Sequence, residues 1–242
     1  MSQVLRLLNT PWRVCSATLA FALSGCFATT RIDVEDNRVF LPAMRAAINL
    51  SQTAEPPSRV QTGHAIEFGV LRAKGSDSQT LSPGDSPIVL NHVTFSSPQE
   101  LKNEFDFYFA DVSWRWRKFF VRQVGLEILV GPSYTSLGLR VSSPTQSAFE
   151  RFETWGPQGA IGVLWRVRDR TSFGARAGGF ISAQNGTNRL THSELFVAQA
   201  VGESLTLRAS YAGWEVKGHA LRDLSDFLVR FSGPVIALDL NF

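Results

Sequence analysis

His192-Ser193-Glu194 is the one run in this chain where a base, a hydroxyl and a carboxylate stand side by side. Nucleophilic catalysis needs the base within hydrogen-bond reach of the nucleophile, with a third group orienting the base. The run lies within 191–201, where Leu195 and Val197 alternate with Glu194 in the manner of a strand. A strand turns successive side chains to opposite faces, so Ser193 is expected to look away from His192 and Glu194. No catalytic residue is therefore assigned. His64, His92 and His219 are too far apart in sequence to suggest a metal site, and no Cys pair or carboxylate–His cluster supplies one. No glycine loop of phosphate-cradling type is present, and Gly178-Gly179 suits a strand that bends or packs closely.

The charges with a consistent pattern are those that alternate against apolar residues. In 103–117, Tyr108, Ala110, Val112, Trp114 and Trp116 share one face, and Asp111, Ser113 and Arg115 the other. The same reading sets Glu127 against Leu126, Ile128 and Val130, and Arg166 against Ile161, Val163, Trp165 and Val167. Arg176, Glu194, Arg208 and Asp239 fall likewise on the less apolar faces of 171–182, 191–201, 205–216 and 234–242. A soluble sheet with a Trp-rich core would show the alternation, but not charges on the inner face strand after strand. Asp111, Arg115, Glu127, Arg166, Arg176, Glu194, Arg208 and Asp239 are expected to form an internal ion-pair network, since breaking a buried pair costs about 3–5 kcal/mol. Phe105, Phe107 and Phe109 fall on the same inner face, where they make either an apolar plug or a pocket for a small apolar ligand.

Both ends of the chain carry signals. Arg6 and Arg13 precede an uncharged run, 14–23, that is shorter than the roughly 20 residues needed to span a bilayer but suits a signal peptide. It closes on Leu23-Ser24-Gly25-Cys26, which resembles a bacterial lipobox, and the resemblance implies a covalent lipid on Cys26 as the first mature residue. Cys15, the only other cysteine, lies inside the leader, so no disulfide is expected. At the other end Ile236, Leu238, Leu240 and Phe242 share a face, and the last residue is aromatic. That ending resembles the assembly signal of bacterial outer-membrane barrels. Trp114 and Trp116 fit the aromatic girdle that such proteins carry at the headgroup level.

Mean hydropathy is −0.02 despite 18 Phe and 6 Trp. A barrel gives such an average because only alternate residues face lipid. A formal charge of +3, with scattered basic residues, does not argue for nucleic acid. The pattern resembles the small outer-membrane β-barrel superfamily. The expected fold is all-β, a closed antiparallel up-and-down transmembrane barrel of about eight strands. The count becomes about ten if 40–50, read as helix, plug or strand, and 88–95 both join. Closure is required because a bilayer leaves no water to satisfy an open sheet edge. Residues 1–25 are read as a lipoprotein signal peptide, 26–63 as a periplasmic linker and 64–242 as the barrel. An even strand number sends both chain ends to the periplasm.

The resemblance implies outer-membrane lipid and the barrel-assembly machinery as partners. The segments 74–103 and 142–156 are read as outer loops able to meet an extracellular partner. Some barrels of this superfamily are lipid A deacylases, but the spacing here departs from their His-x-Ser arrangement. The expected role is structural, adhesive or loop-mediated, with no cofactor beyond the lipid. Two alternatives stand: a narrow channel for ions or small apolar solutes, and a soluble periplasmic β lipoprotein tethered by Cys26.

Overall fold

The computed structural model describes residues 31–36, 39–55, 60–120, 123–182, 189–201, 205–218 and 225–241. Cys15, Cys26, His219 and Phe242 lie outside them, as do the side chains of Asp239 and Leu240. The described residues form twelve strands and no helix. These are β1 (Ile32–Asp36), β2 (Leu41–Glu55), β3 (Val60–Leu81), β4 (Ile88–Leu90), β5 (Val93–Phe95) and β6 (Gln99–Phe119). They continue with β7 (Val124–Ser142), β8 (Ser147–Arg168), β9 (Thr171–Ile181), β10 (Arg189–Ala200), β11 (Leu205–Gly218) and β12 (Phe227–Asn241).

The large sheet rings round. From β2 it runs through β3 and then β6 to β12, each strand antiparallel to the next, and β12 returns to pair with β2. That pair is parallel, with Leu41 opposite Val235 and Ala47 opposite Asn241. Nine strands close the ring, and with β1 the sheet holds ten, not eight. An odd number of alternating strands forces the first and last to run the same way, which corrects the all-antiparallel expectation. Ile32 pairs with Phe227, at the opposite end of β12 from Asn241.

Within 26–63, where a linker is expected, the described residues form β1, β2 and the start of β3. Of the three readings of 40–50, the strand is the one observed. β1 and β2 are two stretches of one path along β12, offset from each other by one residue. At the break, the amide of Val39 donates to the carbonyl of Ser232. A Cβ on Gly233 would overlap the carbonyl oxygen of Val39 there, so glycine is required for the close approach. Side chains tie β1 to β3 where no backbone ladder does. Gln79 accepts from the amide of Asp33 at 3.3 Å, and Asp77 from that of Glu35 at 3.2 Å.

Connections alternate. One end carries short turns, such as Asp169-Arg170. The other is built from long strands: β3, β6, β7 and β8 run 22, 21, 19 and 22 residues. The segments 74–103 and 142–156 are therefore mostly strand, not the loops expected. Of 142–156 only the turn 143–146 is loop, because Phe149, Arg151 and Glu153 continue the alternation of β8 in a polar key. β4 and β5 form a separate hairpin that does not join the ring. Their turn, Asn91-His92, has positive φ at both residues, as a two-residue hairpin turn requires. The hairpin folds over the long-strand mouth. Val89 exchanges hydrogen bonds with Ser225, Asn91 donates to the carbonyl of Phe149, and Gln146 donates to that of Thr94.

Candidate functional site

Three layers fill the ring. Nearest the long-strand mouth, Ile88, Leu90 and Phe95 of the hairpin and Ile32 and Val34 of β1 are buried with Leu101, Leu139 and Val141. Below them Phe105, Phe107 and Phe109 pack with Trp214 and Phe231, at centroid separations of 5.1 to 5.7 Å. Apolar burial on the order of 2 kcal/mol for each large side chain makes this layer a seal. Of the two readings of the three phenylalanines, the plug is the one observed, since all three are buried in contact.

The charged layer comes next. Glu67 accepts from Arg115 at 2.7 Å and Arg176 at 3.2 Å. Glu127 accepts from Arg176 at 2.5 Å and Arg117 at 2.6 Å. Glu194 accepts from Arg45 at 3.2 Å and lies 3.9 Å from Arg208. Asp111 accepts from Ser113 and from Gln158 of β8. Each carboxylate is met by donors from other strands, as burial of charge demands. The layer crosses the ring from wall to wall.

Alternation found most of this layer. Arg115, Glu127, Arg176, Glu194 and Arg208 meet as expected, and Asp111 joins through Ser113 and Gln158 rather than through an arginine. Arg166 sits nearer the short turns, its guanidinium 4.1 Å from the centroid of Phe119. Arg45, Glu67 and Arg117 complete the layer and were missed. Glu67 stands between Ile66 and Phe68, so the same alternation marks it. Arg117 continues the face of Asp111, Ser113 and Arg115. Arg45 lies on β2, within the segment expected to be a linker.

His192 stacks on Trp214 inside the ring at 4.7 Å, and Glu194 faces inward to Arg45. Ser193 is exposed on the outside. The three do not converge. Among the described residues, no group of three or more His, Cys, Asp or Glu is placed to hold a metal.

The chain matches no family model, no curated protein and no solved structure.

The outer surface of the ring carries the other pattern. Phe40 just before β2, Met44, Ile48 and Leu50 on it, Phe68 and Val70 on β3, and Val112 and Trp114 on β6 are exposed. Ile161, Val163, Trp165, Leu195, Leu207, Tyr211, Ile236 and Leu238 continue the series round to β12. Leu195 is 68% exposed. No Asp, Glu, Lys or Arg interrupts the outward positions of this belt, which on β6 runs from Tyr108 to Trp116 and on β8 from Trp155 to Val167. Tyr108, Tyr134 and Trp155 form a continuous aromatic row along its long-strand edge. Trp114, stacked on His64, and the half-buried Trp116 lie toward the other edge.

Beyond the aromatic row the outer surface turns ionic. Asp106 accepts from Arg72 at 2.8 Å and lies 3.1 Å from Lys74, and Glu215 lies between Arg230 and Lys217. The Arg72 hydrogen bond, aided by Lys74, holds the Asp106 carboxyl below its ordinary value. Hydrogen bonds from Lys217 and Arg230 do the same for Glu215. The change from apolar belt to charged collar is abrupt.

Proposed function

We propose that this protein is an integral outer-membrane β-barrel whose sealed body carries an elaborated outer end for structural, adhesive or partner-binding roles. The observation that carries this reading is the uninterrupted, uncharged belt of exposed Leu, Ile, Val, Phe and Trp. Water would penalise so much contiguous apolar surface, whereas lipid solvates it. A transmembrane strand needs about 9–11 tilted residues, close to the span of the belt on β6. The charged and apolar interior layers favour a plugged body over conduction. With the short-turn end in the periplasm, the tall walls of β3, β6, β7 and β8 and the β4–β5 hairpin project outward as an ordered platform.

The lipid on Cys26 and this topology constrain each other. Ile32 stands at the long-strand end, six residues after Cys26. Six extended residues reach about 20 Å, less than the hydrocarbon core of about 30 Å. A lipidated Cys26 would therefore lie on the same side of the membrane as the platform.

Heat-modifiability tests the reading directly. Membranes from cells expressing the wild type and Cys26→Ala are run on gels with and without boiling. Both are expected in the outer-membrane fraction, as a compact species that shifts on heating. Release of Cys26→Ala into the soluble periplasm without a heat shift would instead identify a tethered soluble lipoprotein.

A further inference from the structure

The charged collar is most regular on the walls of β3, β6, β7 and β8, where the registers set outward side chains in rows. One row runs Lys74, Asp106, Gly138 and Arg151. The next row, farther from the belt, ends on Glu104, Arg140 and Phe149. Together they line an open groove of about 530 Å³. Gly138 leaves its centre without a side chain, and a Cβ there would press on the ring of Phe149 at 3.1 Å.

Exposed ion pairs are ordinarily a solvated face. Arg140 and Arg151 differ from their neighbours. Asp106 is taken by Arg72 and Lys74, and Glu104 by Lys102 at 2.7 Å, with Arg140 no nearer to Glu104 than 3.9 Å. Among the described residues Arg151 has no carboxylate within ion-pair distance, and Glu153, the next outward residue toward the belt, pairs with neither arginine. The connection 183–188, between β9 and β10, contains no acidic residue. What the two arginines share is an aromatic ring. Their guanidinium carbons lie 5.5 and 5.9 Å from the centroid of Phe149. Stacking uses the flat face of a guanidinium and leaves its in-plane N–H edge to donate. Two such forks on one ring make a place for an anion that accepts from both.

Taking the belt as the lipid-facing surface proposed above, we infer that Arg140 and Arg151 bind the phosphate of a membrane lipid. Phosphate oxygens accept from planar forks in pairs, as charge-assisted hydrogen bonds. Arg151 is four residues along β8 from Trp155, at the edge of the belt. At about 3.3 Å per residue and a strand tilt of about 40°, that is a height of about 10 Å. A long arginine side chain reaches back from there to headgroup level. The exposed setting makes free phosphate a weak ligand, because water and salt screen each contact. A lipid is held beside the groove by its chains, so the same contacts suffice to select its headgroup.

Native mass spectrometry of the refolded full chain in zwitterionic detergent tests this, with dimyristoyl phosphatidic acid and dimyristoyl phosphatidylcholine as probes. The chains are identical, and only the first lipid presents an uncovered phosphate. Saturable retention of phosphatidic acid is expected, about tenfold above phosphatidylcholine, and reduced to its level when Arg140→Gln and Arg151→Gln are combined. Phe149→Leu, which removes the shared ring, is expected to weaken it severalfold. Arg230→Gln, which removes an arginine already held by Glu215, is expected to leave it unchanged. Equal retention of the two lipids overturns the site, as does a preference that survives the double substitution or falls equally with Arg230→Gln. Displacement of phosphatidic acid by millimolar inorganic phosphate would identify a free-anion site and overturn the lipid as ligand. Heat-modifiability of each sample separates the causes. A wild type that shifts on heating but shows no lipid preference removes only this site, whereas one that does not shift removes the barrel reading with it.

Discussion

Glu127 takes four N–H groups on its two oxygens, two from Arg176 and two from Arg117, and is fully buried. Replacing it by Gln keeps the shape and removes the charge that both arginines share. Leaving them uncompensated is expected to cost about 3–5 kcal/mol. Asp106→Asn breaks a 2.8 Å pair on the exposed collar and is expected to cost about 0–1 kcal/mol, because water screens it. Urea unfolding of the refolded protein at neutral pH compares the two. Equal losses would mean that the interior layer is wet and does not hold the ring together.

At the scale of elements, the β2–β12 seam decides whether the ring exists. Pairs of neighbouring antiparallel strands assemble locally, but this pair joins strands nearly two hundred residues apart and must do so in one register. Gly233 sits at the one-residue offset, against the carbonyl of Val39. Gly233→Val is expected to destabilise the seam by several kcal/mol, more than the 1–3 kcal/mol of ordinary overpacking, since backbone cannot move aside as side chains do. Gly213→Ala on the adjacent β11 meets nothing nearer than 3.7 Å and is expected to be tolerated. The fraction of compact, heat-shifting species reports both. If Gly233→Val folds as well as Gly213→Ala, the close approach at the seam is not needed.

For the whole molecule, the odd strand count has a consequence that can be tested in cells. Arg31 and the turn 143–146 stand at one end of the ring and Asn241 at the other. Epitopes inserted at 30–31 and at 144–145 are expected to be reached by antibody on intact cells, and an epitope after Phe242 only after permeabilisation. Detection of the 30–31 epitope only after permeabilisation, with the 144–145 epitope still exposed, would rule out the β1–β12 pairing.

The sequence by itself determined which side of each strand faces in. Alternation carries that information residue by residue, because a strand has a period of two, and Asp111, Arg115, Glu127, Arg176, Glu194 and Arg208 all point inward as that period requires. Glu67 and Arg117 obey the same rule. The tertiary structure decided what periodicity cannot express. Whether 40–50 is helix, plug or strand depends on the free edge of β12, which lies far along the chain. Whether 88–95 joins the ring depends on a two-residue turn that lets it fold back as a cap. The length of the long strands was hidden because at that end the outward positions turn polar and charged, and the apolar contrast that marks the belt is missing. Closure and parity arise only when the ends of the sheet meet.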